Sequence, residues 1–158
     1  IAVYKQNGAA ITVTASKGSM SIGQMSMTTQ KVVIAAGGSG EQTAHIDLPD
    51  VGSDLVAAHE LLSAVRLNVS KFAGLKRITL WIAEYAAPDY NINSMFSCYE
   101  SGQSSNMLAA PLVCEIRTPN IVLSPGVAVV QSRIDVLVDG AVADIEFDIC
   151  LPTLRRVA

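Results

Sequence analysis

The sequence contains few charged residues and few aromatic ones. Only 16% of the residues are charged and 5% are aromatic, whereas half are hydrophobic. A chain with so thin a charged surface either exposes apolar area to water or shares that area with partner molecules, and sharing it is the more stable arrangement. The composition therefore favours a protein that packs against other molecules.

Concentrated positive charge and long apolar runs are also lacking. The formal net charge is −3, and basic residues cluster no further than pairs such as Lys76-Arg77. Proteins that bind nucleic acid concentrate Lys and Arg on one face. An apolar stretch such as residues 127–130 is far shorter than the ~20 residues of a membrane helix. We therefore expect neither a nucleic-acid partner nor a membrane partner.

Cysteine is scarce and widely spaced. The three cysteines, Cys98, Cys114 and Cys150, include no C-x-x-C pair, which argues against a disulfide framework and a zinc site. Isolated cysteines in apolar settings behave as small hydrophobic residues, so we expect three buried free thiols and synthesis in a reducing compartment. A chain of 158 residues is long enough to bury its own core, and we predict a single β-rich domain over residues 1–158.

Alternating hydrophobic and polar residues are clearest over residues 132–149, which Asp139-Gly140 interrupts. Asp-Gly supplies the two positive φ angles of a type I′ turn. We therefore predict a hairpin in which Ile134 pairs with Ile145. In this register two hydrophobic sets share one face: Ile134, Val136 and Val138, and Ala143, Ile145 and Phe147.

A second hairpin is predicted around Asn7-Gly8, with Tyr4 opposite Ile11. Further alternation indicates strands, giving roughly eight in all. These strands lie in residues 31–35, 44–48, 77–85, 112–117 and 121–130.

The pattern changes between Pro49 and Gly74. Ser53 or Asp54 can cap a helix, and hydrophobic residues recur at helical spacing. They are Leu55, Ala58, Leu61, Leu62 and Val65. We predict a helix that extends to about Phe72, although residues 65–70 also alternate as a strand would. The predicted fold class is mainly β, an antiparallel β-sandwich or jelly-roll-like barrel with one amphipathic helix packed on it.

Known catalytic and metal-binding motifs are incomplete. His59-Glu60 begins like H-E-x-x-H, but Ser63 stands where the second histidine is needed. Gly37-Gly38-Ser39-Gly40 lacks the final glycine of G-x-S-x-G, because that position holds Glu41. His45 fits a strand-surface or hydrogen-bonded core histidine. We therefore predict no catalytic, cofactor-binding or metal-binding residues, and a protein that is not an enzyme.

The hairpin register places acidic residues on one face, with Asp135 opposite Asp144. A solvated outer face, a contact with a basic partner and a cation site all remain open. The C-terminal segment 151–158 is interpreted either as an arm that reaches a neighbour or as a frayed tail. The candidate interface residues are Asp135, Asp144, Glu146, Asp148, Arg155 and Arg156.

Two aromatic residues, Trp81 and Tyr85, share one face of the predicted strand 77–85. Exposed aromatic planes are what a sugar-binding β-sandwich uses for stacking, whereas a single Trp in a strand is more often part of the core. Both interpretations remain open. Trp81 and Tyr85 are accordingly candidate ligand contacts.

In its low charge, its β pattern and its abundance of Ala, Ser, Val and Gly, the chain resembles bacteriophage virion components, especially small capsid decoration or cement proteins. The resemblance implies a structural subunit that forms homo-oligomers and binds neighbouring coat subunits. It also implies a virion location after assembly in the host cytoplasm, with secretion as the alternative. The alternative function is a carbohydrate- or ligand-binding β-sandwich module.

Overall fold

The computed structural model describes residues 2–22, 24–49, 59–67, 73–86, 89–100, 112–117, 129–150 and 153–156, with side chains for 2–21, 24–49, 73–79, 81 and 131–150. These parts form eleven strands and contain no helix. The strands are β1 (Ala2–Lys5), β2 (Thr12–Ile22), β3 (Met25–Ala35), β4 (Glu41–Asp47), β5 (His59–Leu67), β6 (Leu75–Ala86), β7 (Asp89–Glu100), β8 (Leu112–Arg117), β9 (Val129–Asp139), β10 (Asp144–Ile149) and β11 (Thr153–Arg156).

The strands form two antiparallel sheets. The first sheet has the order β1-β4-β9-β6-β7. In the second sheet β2 pairs with β3, β3 with β10 and β10 with β5, and β5 also pairs with β8 and β11. Leu62 of β5 pairs with both Thr153 and Arg117, so β11 and β8 lie on opposite edges of β5. A mainly β fold made of antiparallel sheets is confirmed.

One hydrophobic core lies between the two sheets. Its buried residues alternate along β9 and β4 of the first sheet and along β3 and β10 of the second. Alternate side chains of a strand point to opposite faces, so each sheet turns one apolar face inward. The core contains Ile11, Val32, Ile34, Ala44, Ile46, Leu48, Leu75, Ile78, Ile134, Val136, Val138, Ala143, Ile145, Phe147 and Ile149. The sandwich arrangement follows from these two facing sets.

The predicted hairpin around Asp139-Gly140 is wrong. Strand β9 pairs with β4 and β6 in the first sheet, whereas β10 pairs with β3 and β5 in the second. The turn closes by a bond from the Val142 N–H to the Asp139 carbonyl (3.1 Å), and neither Asp139 nor Gly140 has the positive φ of a type I′ turn. The two apolar sets do face a common space, but across the core rather than side by side.

The Asn7-Gly8 hairpin is wrong for the same reason. Strand β1 pairs with β4, and β2 pairs with β3 in the other sheet. Tyr4 therefore lies opposite His45 rather than opposite Ile11. The turn itself exists: the Ala9 N–H donates to the Gln6 carbonyl (2.9 Å), and Gly8 has a φ of +83°, which glycine adopts readily.

The predicted amphipathic helix is also wrong where the structure describes it. Residues 59–67 form β5, whose backbone pairs with three other strands. Hydrogen bonding to strands on both edges outweighs a helical spacing of leucines. The rest of the predicted helix, residues 53–58 and 68–72, lies outside the described residues.

The C-terminal segment is neither an arm nor a frayed tail over residues 153–156. Strand β11 pairs with β5, with Arg155 opposite Glu60 and Arg156 opposite His59. Backbone pairing in the sheet orders this segment within the same chain. Among the remaining predictions, strands at 31–35, 44–48, 77–85 and 112–117 are confirmed, whereas residues 121–128 lie outside the described residues.

Candidate functional site

The outer face of the first sheet carries polar and aromatic side chains in transverse rows. Neighbouring strands place their paired residues about 4.7–4.9 Å apart, so residues in one row are neighbours. The first row contains Asp47, Arg133 and Trp81; the second contains Tyr4, His45, Asp135 and Thr79; the third contains Thr43, Leu137 and Arg77. Four strands, β1, β4, β9 and β6, thus contribute to one surface.

A shallow groove of about 190 Å³ lies on this face. Enclosed small-molecule sites usually measure about 300–1,000 Å³, so the groove suits one unit of a larger ligand better than an entire enclosed one. The groove is lined by Gln6, Thr43, His45, Arg77, Thr79, Trp81, Asp135 and Leu137. We refer to these eight residues as the groove.

Asp135 is the centre of the polar network. Its Oδ1 lies 2.6 Å from His45 Nδ1 and 2.8 Å from Arg133 Nε, and its Oδ2 accepts a hydrogen bond from Arg133 Nη2 at 3.2 Å. The carboxylate side chain is only 14% exposed. Burial lowers the pKa of Arg133, but the Asp135 carboxylate and hydrogen bonds to Tyr4 and Asp135 outweigh this and raise it. Arg133 therefore remains a cation.

Trp81 forms the aromatic side of the groove. The Arg133 guanidinium carbon lies 5.6 Å from the centre of the Trp81 ring, within the range of a cation–π interaction. The indole is partly exposed rather than buried in the core. Of the two interpretations left open by the sequence, the structure therefore favours an accessible aromatic ring over a core residue. Tyr85 pairs through its backbone with Tyr90 and Val129; its side chain lies outside the described residues.

Tyr4 extends this face at the edge strand β1. Its ring centre lies 5.2 Å from that of His45 with the planes inclined by 36°, and its hydroxyl donates to Asp47 Oδ1 at 3.3 Å. Tyr4 remains 42% exposed. Among the described side chains, Tyr4 and Trp81 are thus accessible aromatic rings on this face, in adjacent rows that also contain His45 and Asp135.

The predicted acidic cluster is divided between the two sides of the sandwich. Asp135 belongs to the first sheet, whereas Asp144, Glu146 and Asp148 lie on β10 of the second sheet, because β9 and β10 do not pair. The predicted opposition of Asp135 and Asp144 is therefore wrong.

Two acidic residues of β10 have side-chain partners on β3. Glu146 forms an ion pair with Lys31, and Asp148 accepts a hydrogen bond from the Thr29 hydroxyl at 2.8 Å. The pKa of Lys31 is raised, chiefly by its hydrogen bond with Glu146. Burial lowers this pKa, and the negative charges of Glu146 and Asp148 raise it. In the described part of the chain, no three His, Cys, Asp or Glu residues are grouped as metal ligands would be. The interface role of Asp135, Asp144, Glu146, Asp148, Arg155 and Arg156 stays a prediction.

Sequence reasoning named Trp81 and Asp135 separately as candidate residues but did not predict that they share a site with His45 and Tyr4. His45 was expected to be a strand-surface or hydrogen-bonded histidine, and it is a hydrogen-bonded one on the sheet surface. Its pairing with Asp135 joins positions 90 residues apart, for which the sequence contains no local signal. Only the alternation of each strand indicated that these side chains point outward.

No protein-family model and no curated protein matches the sequence. The fold is similar to that of solved carbohydrate-binding modules. A structure of promiscuous carbohydrate-binding modules from the β-sandwich superfamily matches with a TM-score of 0.59 and 12% identity, over 98% of this chain and 56% of that one. The family 11 module of the cellulosomal cellulase Lic26A-Cel5E of Clostridium thermocellum matches with a TM-score of 0.51 and 13% identity, over 99% of this chain and 87% of that one.

A second structure of a Clostridium thermocellum family 11 module, in complex with a β-1,3-1,4-mixed-linked tetrasaccharide, has a TM-score of 0.50 and 14% identity, over 99% of this chain and 88% of that one. With identities of 12–14%, these comparisons show a similar fold alone. The chain spans little more than half of the first neighbour and most of the other two. The β-sandwich fold is confirmed. No helix of the described chain has the length and apolar character that crossing a membrane requires.

Proposed function

We propose that the outer face of the first sheet binds carbohydrate. The observation that carries this proposal is the position of Trp81, which is partly exposed and lines one groove with His45 and Asp135. The Arg133 guanidinium contacts both Asp135 and the Trp81 ring. Sugars have apolar C–H faces and rings of hydroxyl groups, so their binding sites combine aromatic planes with planar hydrogen-bonding side chains. The fold of the carbohydrate-binding neighbours supports the same proposal.

The chemistry of the groove suits a neutral sugar. The rows contain two arginines and two aspartates, Arg77, Arg133, Asp47 and Asp135, so their charges cancel. Three groove residues, Thr43, Thr79 and Gln6, contribute uncharged polar groups. The groove lies open on a sheet, so a polysaccharide chain can cross it without entering an enclosed cavity.

We further propose that the face binds sugar without hydrolysing it. Glycoside hydrolysis needs a carboxylic acid that can donate a proton and a second carboxylate across the scissile bond. Among the described residues that line the groove, Asp135 is the single carboxylate, and it is held between Arg133 and His45, so the pair of carboxylates that hydrolysis needs is not found there. This proposal agrees with the alternative function predicted from the sequence, a carbohydrate- or ligand-binding β-sandwich module.

The decoration-protein interpretation receives no support from the comparisons. The homo-oligomer, the coat-subunit partners and the virion location stay predictions. Light scattering after size-exclusion chromatography tests the oligomer separately from sugar binding, because the two properties need not occur together.

Because Trp81 is the sole tryptophan of the chain, its fluorescence reports directly on the groove. Titration with the β-1,3-1,4-mixed-linked tetrasaccharide and with a panel of soluble polysaccharides is expected to change the emission and to protect it from iodide quenching. We expect Trp81→Ala to weaken binding in calorimetry about tenfold, since aromatic stacking contributes about 0.5–1.5 kcal/mol in addition to the apolar area that it buries. Trp81→Phe, which keeps a flat ring, should lose less.

Gln24→Ala serves as the control for the Trp81 variants, because Gln24 is exposed in the connection between β2 and β3. Its affinity should equal that of the unmodified protein, and circular dichroism should show the same fold for all variants. Unchanged fluorescence and absent heat across the panel would overturn the proposed function.

A further inference from the structure

We propose that Asp135 holds His45 in the tautomer with the proton on Nδ1, so that Nε2 accepts a hydrogen bond from a sugar hydroxyl. This inference rests on the proposed function and names a specificity-determining residue within it. His45 would select the direction of one hydrogen bond in the groove.

The tautomer follows from the partners of Asp135. Its carboxylate lies 2.6 Å from His45 Nδ1 and forms an ion pair with Arg133. An ionised carboxylate only accepts hydrogen bonds, so His45 Nδ1 must carry the hydrogen. In a neutral imidazole the other nitrogen is then an acceptor. No described residue hydrogen-bonds to Nε2.

The groups around His45 come from each of the strands that form this face. Strand β1 contributes Tyr4, whose ring packs against the imidazole. Strand β9 contributes Asp135 and Arg133. Strand β4 itself contributes the carboxylate of Asp47, and β6 contributes the guanidinium of Arg77 to the groove wall.

His45 Nε2 differs from the other polar groups of the groove because it can only accept. Arg77 and the Trp81 indole can only donate hydrogen bonds, and the Asp135 carboxylate already contacts His45 and Arg133. The two threonine hydroxyls and the Gln6 amide of the groove can donate or accept, so they do not determine the direction of a hydrogen bond. A sugar hydroxyl that meets the neutral His45 ring at Nε2 must donate to it.

Protonation of His45 would reverse this contact. Nε2 would become a donor, and the group of His45, Asp135 and Arg133 would change from neutral to a net charge of +1. A sugar hydroxyl that donates to Nε2 should therefore bind only the neutral ring.

Nitrogen-15 NMR tests the tautomer without any ligand. The chain has two histidines, and a His59→Gln variant identifies the His45 signals. At pH 8 we expect the shifts of a protonated Nδ1 and an unprotonated Nε2. In Asp135→Asn the amide can donate to Nδ1, so the proton should move to Nε2. An Nε2-protonated ring in the unmodified protein would overturn the proposal.

Calorimetry with the β-1,3-1,4-mixed-linked tetrasaccharide at pH 8 tests the acceptor role. We expect His45→Phe, which keeps a flat ring but has no acceptor, to lose about tenfold in affinity, which corresponds to about 1.4 kcal/mol. His45→Gln should lose less, since its amide oxygen can accept a hydrogen bond. Asp135→Asn should also bind weakly, because it removes the carboxylate that keeps the proton on Nδ1.

The outcomes separate the two proposals. Equal affinities of the unmodified protein and His45→Phe would overturn the role of His45 but keep the proposed function. Absence of binding by the unmodified protein would overturn the proposed function together with the acceptor role, and the NMR experiment alone would then decide the tautomer.

Discussion

Replacing Phe147 by alanine is expected to lower the free energy of unfolding by about 3–5 kcal/mol. Phe147 is 1% exposed and belongs to the core between the sheets. Its strand β10 has neighbours on both edges, with Val32 of β3 and Leu67 of β5 opposite Phe147. The missing ring would leave a cavity that neither sheet can close without breaking its strand pairing. Equilibrium unfolding in urea measures the loss.

Two matched variants calibrate this result. Phe147→Leu keeps most of the buried volume and should lose much less stability than Phe147→Ala. Val142→Ala removes methyl groups from a side chain that is 49% exposed and should change stability by no more than about 0.5 kcal/mol. If Phe147→Ala cost less than about 1 kcal/mol, Phe147 would not be enclosed by two sheets, and the sandwich register of β10 would be wrong.

Replacing Gln42 by alanine is expected to destabilise the protein by about 2–4 kcal/mol, although this residue is polar. Its Oε1 accepts hydrogen bonds from the N–H groups of Ala10 (2.7 Å) and Ile11 (3.0 Å), and its Nε2 donates to the Gly37 carbonyl (2.9 Å). Gln42 thereby joins two of the connections by which the chain passes from one sheet to the other. Alanine would leave three backbone groups without partners.

A third connection is packed against the same side chain. A Cβ at Gly140 would overlap Gln42 Nε2. The Gly140 carbonyl accepts a hydrogen bond from the Gly37 N–H, and the Gly140 N–H donates to the Gly40 carbonyl. Gln42→Glu keeps the acceptors for Ala10 and Ile11 but loses the donor to Gly37, so we expect an intermediate loss. Gln24→Ala is the surface control. Urea unfolding that gave Gln42→Ala the stability of this control would contradict the bridging role.

The two hairpin predictions show what alternation can and cannot reveal. Around Asp139-Gly140 the alternation correctly identified the inward faces of β9 and β10, since Ile134 and Ile145 are both fully buried. It did not identify the partner strands. Two strands whose apolar faces meet across a core have the same sequence pattern as two paired strands of one sheet. Aligning the alternating residues of two strands therefore cannot tell whether the strands pair or face each other across the core.

The hairpin between β2 and β3 was missed for the opposite reason. These strands pair along their whole length, with Ile22 opposite Met25. Their ends are rich in Ser and Thr, so the hydrophobic alternation that identifies a strand is weak there. The segment 59–67 was misassigned because leucines at helical spacing also suit a strand whose partners are distant in sequence.

The candidate site could be predicted only in part. Trp81 was a candidate ligand contact and Asp135 a candidate interface residue, but their proximity to His45 and Tyr4 depends on the strand order β1-β4-β9-β6. That order brings residues 4, 45, 81 and 135 into two adjacent rows. Residues so far apart in the chain produce no motif, since the spacing between strands on a sheet is independent of their spacing in sequence.

The sequence by itself determined that the chain is mainly β, where several strands run, and which side chains of β9 and β10 point inward. These are local properties, because the pleat of each strand alternates its side chains whatever strand lies beside it. Only the tertiary structure decided which strands pair and that residues 59–67 form a strand rather than a helix. It also decided that Trp81, His45 and Asp135 share a surface. Several distant segments could form the same backbone hydrogen bonds with a given strand. Which of them pairs with it depends on the packing of the whole core.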